Sequence, residues 1–280
     1  MHEYVRTGAS VICAFCLCLG LLCGCSAPAQ ELGSAGVQVT LAGSTSVQPF
    51  VELLEEHYSA ENPQAPPINV QGGGSTAGVQ AAASGIADIG MSSRELREKE
   101  LALGLHALPV ARDAIAVIVH PTNSLAGLTS EQVRDVFSGR IGDWSELGGR
   151  RARIVVVTRE EGSGTRGAFE DLVMADTPIA AGALRQDSNG SVRVIVAGHP
   201  DAIGYISLGI VDQRVKALRL DEVTPTTDSV VSGEYVLARP FLFLWKTEPP
   251  RAAKEFVDFV LGADGQELLV SEGLVSVEEP

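Results

Sequence analysis

Residues 155–172 read "VVVTREEGSGTRGAFEDL". The β-branched run Val155 to Thr158 predicts a strand. Gly162, Ser163, Gly164 and Thr165 form a small hydroxyl-rich loop, and Ala168, Phe169, Leu172 and Val173 follow at helical spacing. Strand, loop, helix in that order presents backbone N–H groups at a helix N-terminus, a place where an anion can sit. Arg159, four residues before Ser163, adds a charged donor.

The same grammar recurs upstream. "VQVTLAG" (37–43) predicts a strand, followed by Ser44, Thr45 and Ser46 and then a helix over 47–60. "INVQGG" (68–73) predicts a second strand, followed by Gly72 to Gly74, Ser75 and Thr76 and a helix over 77–84. "IADIGMSSRELREKE" places Ser92, Ser93 and Arg94 before a charged helical stretch. Further strands are expected over 114–120, 153–158 and 235–245. Helices are expected over 128–139, opened by a Thr129/Gln132 capping box and stopped at Gly139, and over 249–262. Alternating strands and helices predict an α/β architecture with mainly parallel sheets. If the strands share a sheet edge, several hydroxyl loops meet at one crevice.

A chain with formal net charge −14 can carry such a site, because helix dipoles, hydroxyls and one or two arginines suffice. The acidity argues against a nucleic-acid partner, which needs a basic footprint. At 280 residues with 45% hydrophobic side chains, the chain can bury a large core. No loop has the lysine of a phosphate-binding nucleotide motif, and no G-x-S-x-G elbow is present. Neither a histidine pair at ligand spacing nor a supported nucleophile appears, so the expectation is no enzyme, no catalytic residue, no metal and no cofactor. Glu160 and Glu161 flank the loop and read as a helix N-terminal charge or as a salt-bridge partner orienting Arg159.

All five cysteines (Cys13, Cys16, Cys18, Cys23, Cys25) lie in the first 25 residues, which leaves the body without thiols. Residues 8–23 are uncharged and mostly apolar, and end at "LCGC" (22–25). This is the layout of a secretory leader, and it resembles the lipobox of bacterial lipoproteins, with 1–24 as the leader and Cys25 as the lipidated residue. An uncleaved transmembrane anchor is the alternative. Residues 25–36, rich in Ala, Ser and Gly, read as a flexible tether. Both readings put the body outside the cytoplasm.

Seven stretches carry a family resemblance: "GSTSVQP" (43–49), "GGGSTAG" (72–78), "ADIGMSSREL" (87–96), "SGRIGDWSELGG" (138–149), "REEGSGTRGAFE" (159–170), "IGYISLG" (203–209) and "EFVDFVLGADGQELL" (255–269). In this order the chain resembles the phosphate-binding proteins of bacterial phosphate ABC transporters, in the shorter lineage of that family, from about 39 to 277. The resemblance implies a periplasmic-binding-protein type II fold (Venus flytrap), two α/β lobes joined by two crossovers. Lobe I would comprise 37–118 and 240–280, and lobe II 119–239. It implies a phosphate site formed by Ser44, Thr45, Ser46, Ser75, Ser93 and Arg94 from one lobe and Arg159, Ser163, Gly164 and Thr165 from the other. It implies as partners inorganic phosphate and the permease subunits, with the protein a lipid-anchored monomer. One departure stands out: better-known members place an Asp where this chain has Ser93. That keeps sulfate, molybdate or tungstate as alternative ligands, and a lipid-anchored phosphate sensor as an alternative role.

Overall fold

The computed structural model describes residues 38–277. The expected leader, Cys25 and the tether lie outside them. From the first described strand the chain alternates as its periodicity predicts: β1 (Val39–Gly43), α1 (Gln48–Glu61), β2 (Ile68–Gly72), α2 (Ser75–Ser84) and β3 (Ile89–Ser92). A short α3 (Glu98–Leu101) leads into β4 (His106–Val119), a strand of 14 residues. The middle of the chain supplies β5 (Gly127–Leu128), α4 (Ser130–Ser138), β6 (Val155–Arg159), α5 (Gly164–Phe169), β7 (Leu184–Gln186), α6 (Asn189–Gly198) and β8 (Ala202–Ser207). Then come β9 (Lys216–Ala217), β10 (Arg219–Leu220), α7 (Thr227–Val231), β11 (Ala238–Trp245), α8 (Arg251–Leu261) and α9 (Ala263–Ser271).

Local chemistry sets these boundaries where the sequence marked them. The Thr129 hydroxyl accepts from the Gln132 N–H at 3.1 Å, the Gln132 side chain accepts from the Thr129 N–H at 2.9 Å, and Gly139 ends α4 at φ +81°. Pro49 sits in the first turn of α1, where its missing N–H is harmless.

The strands order as β2-β1-β3-β11-β4-β8-β6-β7, with β9 beside β4. Around β1 and around β6 the pairing is parallel. At β4 and β11 it is antiparallel, to each other and to β3 and β8. The expectation of mainly parallel sheets therefore holds at the two ends of the strand order and fails in the middle. There the chain passes from one half of the molecule to the other and back, along neighbouring strands.

The side chains pack into separate cores on either side of that passage. Leu41, Phe50, Ile89, Ala111, Phe241 and Phe256 belong to the first. Ala114, Ile115, Phe137, Trp144, Phe169, Tyr205 and Leu237 belong to the second. Strand β4 changes cores between Ala111 and Ala114, and β11 between Ala238 and Phe241. At the change Asp113 and Arg239 stand opposite each other in register and form a fully buried ion pair at 2.7 Å. The Ser207 hydroxyl donates to Asp113 at 2.8 Å, and Arg239 reaches the Ser93 carbonyl at 3.3 Å. Such a pair is held only because both charges are fully hydrogen-bonded. Among the described residues no helix is long and apolar enough to cross a membrane.

Candidate functional site

The loop after β1 turns so tightly that a Cβ on Gly43 (φ +141°) would lie 2.2 Å from the Met91 carbonyl. That close approach lets the Ser44 N–H bond the same carbonyl at 2.9 Å, which brings the β1 and β3 loops together. Ser44 then donates its hydroxyl to Ser93 Oγ at 2.9 Å. From the start of α2, Ser75 Oγ accepts from the Ser93 N–H at 3.0 Å and lies 3.4 Å from Ser93 Oγ. Neither α1 nor α2 has a side-chain cap from its N-cap residue, but their first-turn donors are engaged: the Gln48 N–H meets the Ser44 carbonyl at 3.0 Å, and the Thr76 N–H meets the Gly162 carbonyl of the opposite half at 3.1 Å. All four serines, 44, 46, 75 and 93, are buried.

Across from them, β6 ends at Arg159, a guanidinium only 1% exposed. Its Nε and Nη2 donate to Glu160 at 3.0 and 2.9 Å, and Nη2 also meets the Asp187 carbonyl and Thr45 Oγ1, both at 3.0 Å. Its Nη1 is buried with no partner. Glu160 thus serves as the orienting salt-bridge partner. Ser163 caps α5, accepting from the Arg166 N–H at 3.2 Å, while Thr165 Oγ1 lies 2.7 Å from Ser46 Oγ. Gly164 comes so near that a Cβ there would lie 2.1 Å from Ser75 Oγ and 2.5 Å from Ser93 Oγ. Helix α5 is seated from below by Phe169, stacked on Tyr205 at 4.1 Å between ring centroids. Burial pushes the Tyr205 phenol up to about 12, and its oxygen lies 2.7 Å from Thr158 Oγ1 under the end of β6.

Nine of the ten residues expected at the site therefore come together in one cluster, Ser44, Thr45, Ser46, Ser75, Ser93, Arg159, Ser163, Gly164 and Thr165, all buried except the half-buried Thr45. Arg94 is placed differently. Its two terminal nitrogens bind the Glu100 carboxylate at 2.7 and 2.9 Å, and one also meets Thr76 Oγ1 at 3.2 Å. Burial alone would raise the Glu100 carboxyl, but hydrogen bonds from Arg94 and from the Arg97 backbone outweigh it and hold the group below its ordinary value. Arg94 fastens the β3 loop to α3 through its two terminal nitrogens, while its Nε is buried without a partner.

One residue of the cluster was not anticipated. Asn189, the first residue of α6, is 1% exposed and donates from Nδ2 to Ser46 Oγ at 2.6 Å. The signal was present, since Ser188 caps α6 by accepting from the Ser191 N–H at 3.1 Å. It follows the short, polar strand β7, which has no apolar run to announce it.

Chemically, the cluster is rich in hydroxyls at the starts of helices, with Arg159 Nη1 a buried guanidinium donor left without a partner. That composition suits a small oxyanion held between the two halves. Comparison with known proteins agrees. The pattern of the PBP superfamily domain matches residues 29–264. The phosphate-binding protein PstS of Bacillus subtilis is 33% identical over 253 residues, 88% of this chain and 82% of that protein. A substrate-binding protein assigned to a phosphate ABC transporter of Clostridium perfringens, solved with bound phosphate, superposes with a TM-score of 0.84 at 38% identity, over 86% of this chain and 100% of that one. An ABC-type phosphate transport receptor from Vibrio cholerae gives 0.71 at 37% identity, over 85% and 99%. The fold is the periplasmic-binding-protein type II α/β architecture of two lobes joined by two crossovers, and the chain belongs to the PBP superfamily and, within it, to the phosphate-binding PstS family.

Proposed function

We propose that this chain is an extracytoplasmic receptor that captures inorganic phosphate between its lobes and delivers it to the permease of an ABC transporter, without catalysis. The observation that carries the reading is the meeting of the two halves at their loops: Arg159 Nη2 reaches Thr45 Oγ1, Thr165 Oγ1 lies beside Ser46 Oγ, and Gly164 lies against Ser75 and Ser93. A ligand held by both halves favours the closed arrangement by its differential contact. The related proteins named for phosphate binding and phosphate transport support the choice of phosphate over other tetrahedral oxyanions. In the proposed site, Arg159 Nη1 supplies the charge-assisted bond, the hydroxyls and helix starts supply the rest, and Gly164 permits close approach.

The lobes we propose follow the packing: 38–112 with 240–277, and 113–239. This moves the first boundary from 118/119 to the point where β4 changes cores. Attachment through a lipid on Cys25 and action as a monomer complete the proposal. Calorimetry on the chain in detergent, unfolded and refolded to strip bound anion, tests it with phosphate, sulfate and molybdate in parallel. Binding of phosphate in the micromolar range or tighter, with sulfate and molybdate far weaker, is the expected result. Tighter binding of either of the others reassigns the ligand, and no binding of any removes the site.

A further inference from the structure

The family resemblance implies a carboxylate, acceptor for the proton of hydrogen phosphate, where this chain has Ser93, so a cradle of donors needs its acceptor elsewhere. Phosphate near neutral pH carries an O–H, whereas sulfate does not. Donors alone cannot tell the two apart. An acceptor facing that oxygen is satisfied by phosphate and opposed by the lone pairs of sulfate.

The described residues contain four buried side-chain nitrogen or oxygen atoms without a hydrogen-bond partner: Arg94 Nε, Arg159 Nη1, Arg193 Nε and Asn189 Oδ1. Three are donors; Asn189 Oδ1 is the acceptor. A carbonyl-type oxygen buried without a donor is costly and asks for an explanation. Its surroundings provide one. The other end of the same amide donates to Ser46 Oγ, which in turn lies 2.7 Å from Thr165 Oγ1. Two residues earlier in the chain, the Asp187 carbonyl holds Arg159, whose Nη1 is the cluster's unused donor. An orphaned acceptor and an orphaned donor thus belong to two adjoining groups drawn from both lobes, tied through the main chain at Thr45–Ser46 and at Asp187–Asn189. The Ser44 hydroxyl is already donated to Ser93 Oγ, which leaves Ser93 less free to accept. Glu160, the carboxylate bonded to Arg159, is spent on that guanidinium.

We infer that Asn189 is a specificity-determining residue of the phosphate site, its Oδ1 accepting the ligand's proton in place of the absent carboxylate. The inference rests on the phosphate reading above. It gives the start of α6 a role in the site. It also lets a neutral group discriminate, so no second buried negative charge faces the anion.

The test compares wild type, Asn189→Ala and Asn189→Asp, each as the full chain in detergent stripped of anion, titrated calorimetrically with inorganic phosphate and with sulfate at pH 8. Thermal melting without anion monitors the fold. The expected result is a phosphate Kd raised at least about tenfold by Ala, largely recovered by the isosteric Asp, with sulfate binding not weakened in step. Three results overturn the inference. One is phosphate binding by Ala within about twofold of wild type. Another is phosphate binding by Asp weaker than by Ala, which would mean the amide donates to the ligand. The third is an equal loss of phosphate and sulfate, which would make Asn189 a latch on Ser46 and no reader of the proton. Failure of the phosphate reading is separately visible, because wild type itself then gives no phosphate heat.

Discussion

Substituting Gly164 by Ala should separate binding from stability. The added methyl would lie 2.1 Å from Ser75 Oγ, 2.5 Å from Ser93 Oγ and 2.9 Å from Ser75 Cβ. The two hydroxyls can rotate, but Ser75 Cβ is fixed to α2 and cannot. Turning the Ser75 hydroxyl away also breaks the bond it accepts from the Ser93 N–H, worth about 1 kcal/mol net. Overpacking by one methylene-sized group adds about 1–3 kcal/mol. All of this is felt only when the lobes are together, because Gly164 and Ser75 belong to opposite lobes. The penalty on closing is then about 2–4 kcal/mol, or roughly 30- to 1,000-fold in Kd. With the lobes apart, Ala at the first position of α5 is a better helix former than Gly, by up to about 1 kcal/mol. Calorimetric titration with phosphate should therefore show the loss, while the anion-free melting temperature stays level or rises. Affinity within about threefold of wild type, or a binding loss matched by an equal loss of anion-free stability, would refute the reasoning.

Arg159→Ala should weaken phosphate binding at least about tenfold while the chain still folds, measured by calorimetry and by far-UV circular dichroism. Asp113→Ala strands the buried Arg239 guanidinium at the change of cores and should cost about 3–5 kcal/mol in urea unfolding. Tyr205 stays neutral to about 12, whereas an unfolded tyrosine ionises near 10. Stability is therefore unaffected by this group below about pH 10 and falls by about 2–3 kcal/mol as pH rises from about 10 to 12, because the unfolded chain releases its proton first. Tyr205→Phe should flatten that part of the alkaline decline in pH-dependent unfolding; buried Tyr235, also raised, contributes the same sign and remains.

Much of this was legible in the sequence wherever a strand announced its loop. Val155 to Thr158 and the stretch after Val37 are β-branched or apolar runs, and the hydroxyls behind them land in the cluster. Asn189 escaped because β7 is only Leu184–Gln186, largely exposed, and "SNG" reads as an ordinary turn. Arg94 has a partner that the sequence does not announce. It sits beside Ser93, yet Glu100, six residues on, is brought back to it by the short α3 and takes both terminal nitrogens. The antiparallel pairing of β4 with β11 joins residues more than 120 apart in the chain, and no local pattern in either strand encodes that partnership.

The two crossovers have a mechanical consequence. Because β4 and β11 lie side by side and are hydrogen-bonded to each other as they cross, sliding one lobe past the other would shear a ladder of main-chain bonds, and swivelling would splay it. Flexing the two-stranded ribbon across its width leaves that ladder whole, and the register shift between Phe241 and Leu242 gives it a soft point. Opening is thereby reduced to one angular coordinate. A membrane partner touching both lobes far from the anion can read occupancy as a single distance, amplified by the length of the lobes as by a pair of levers.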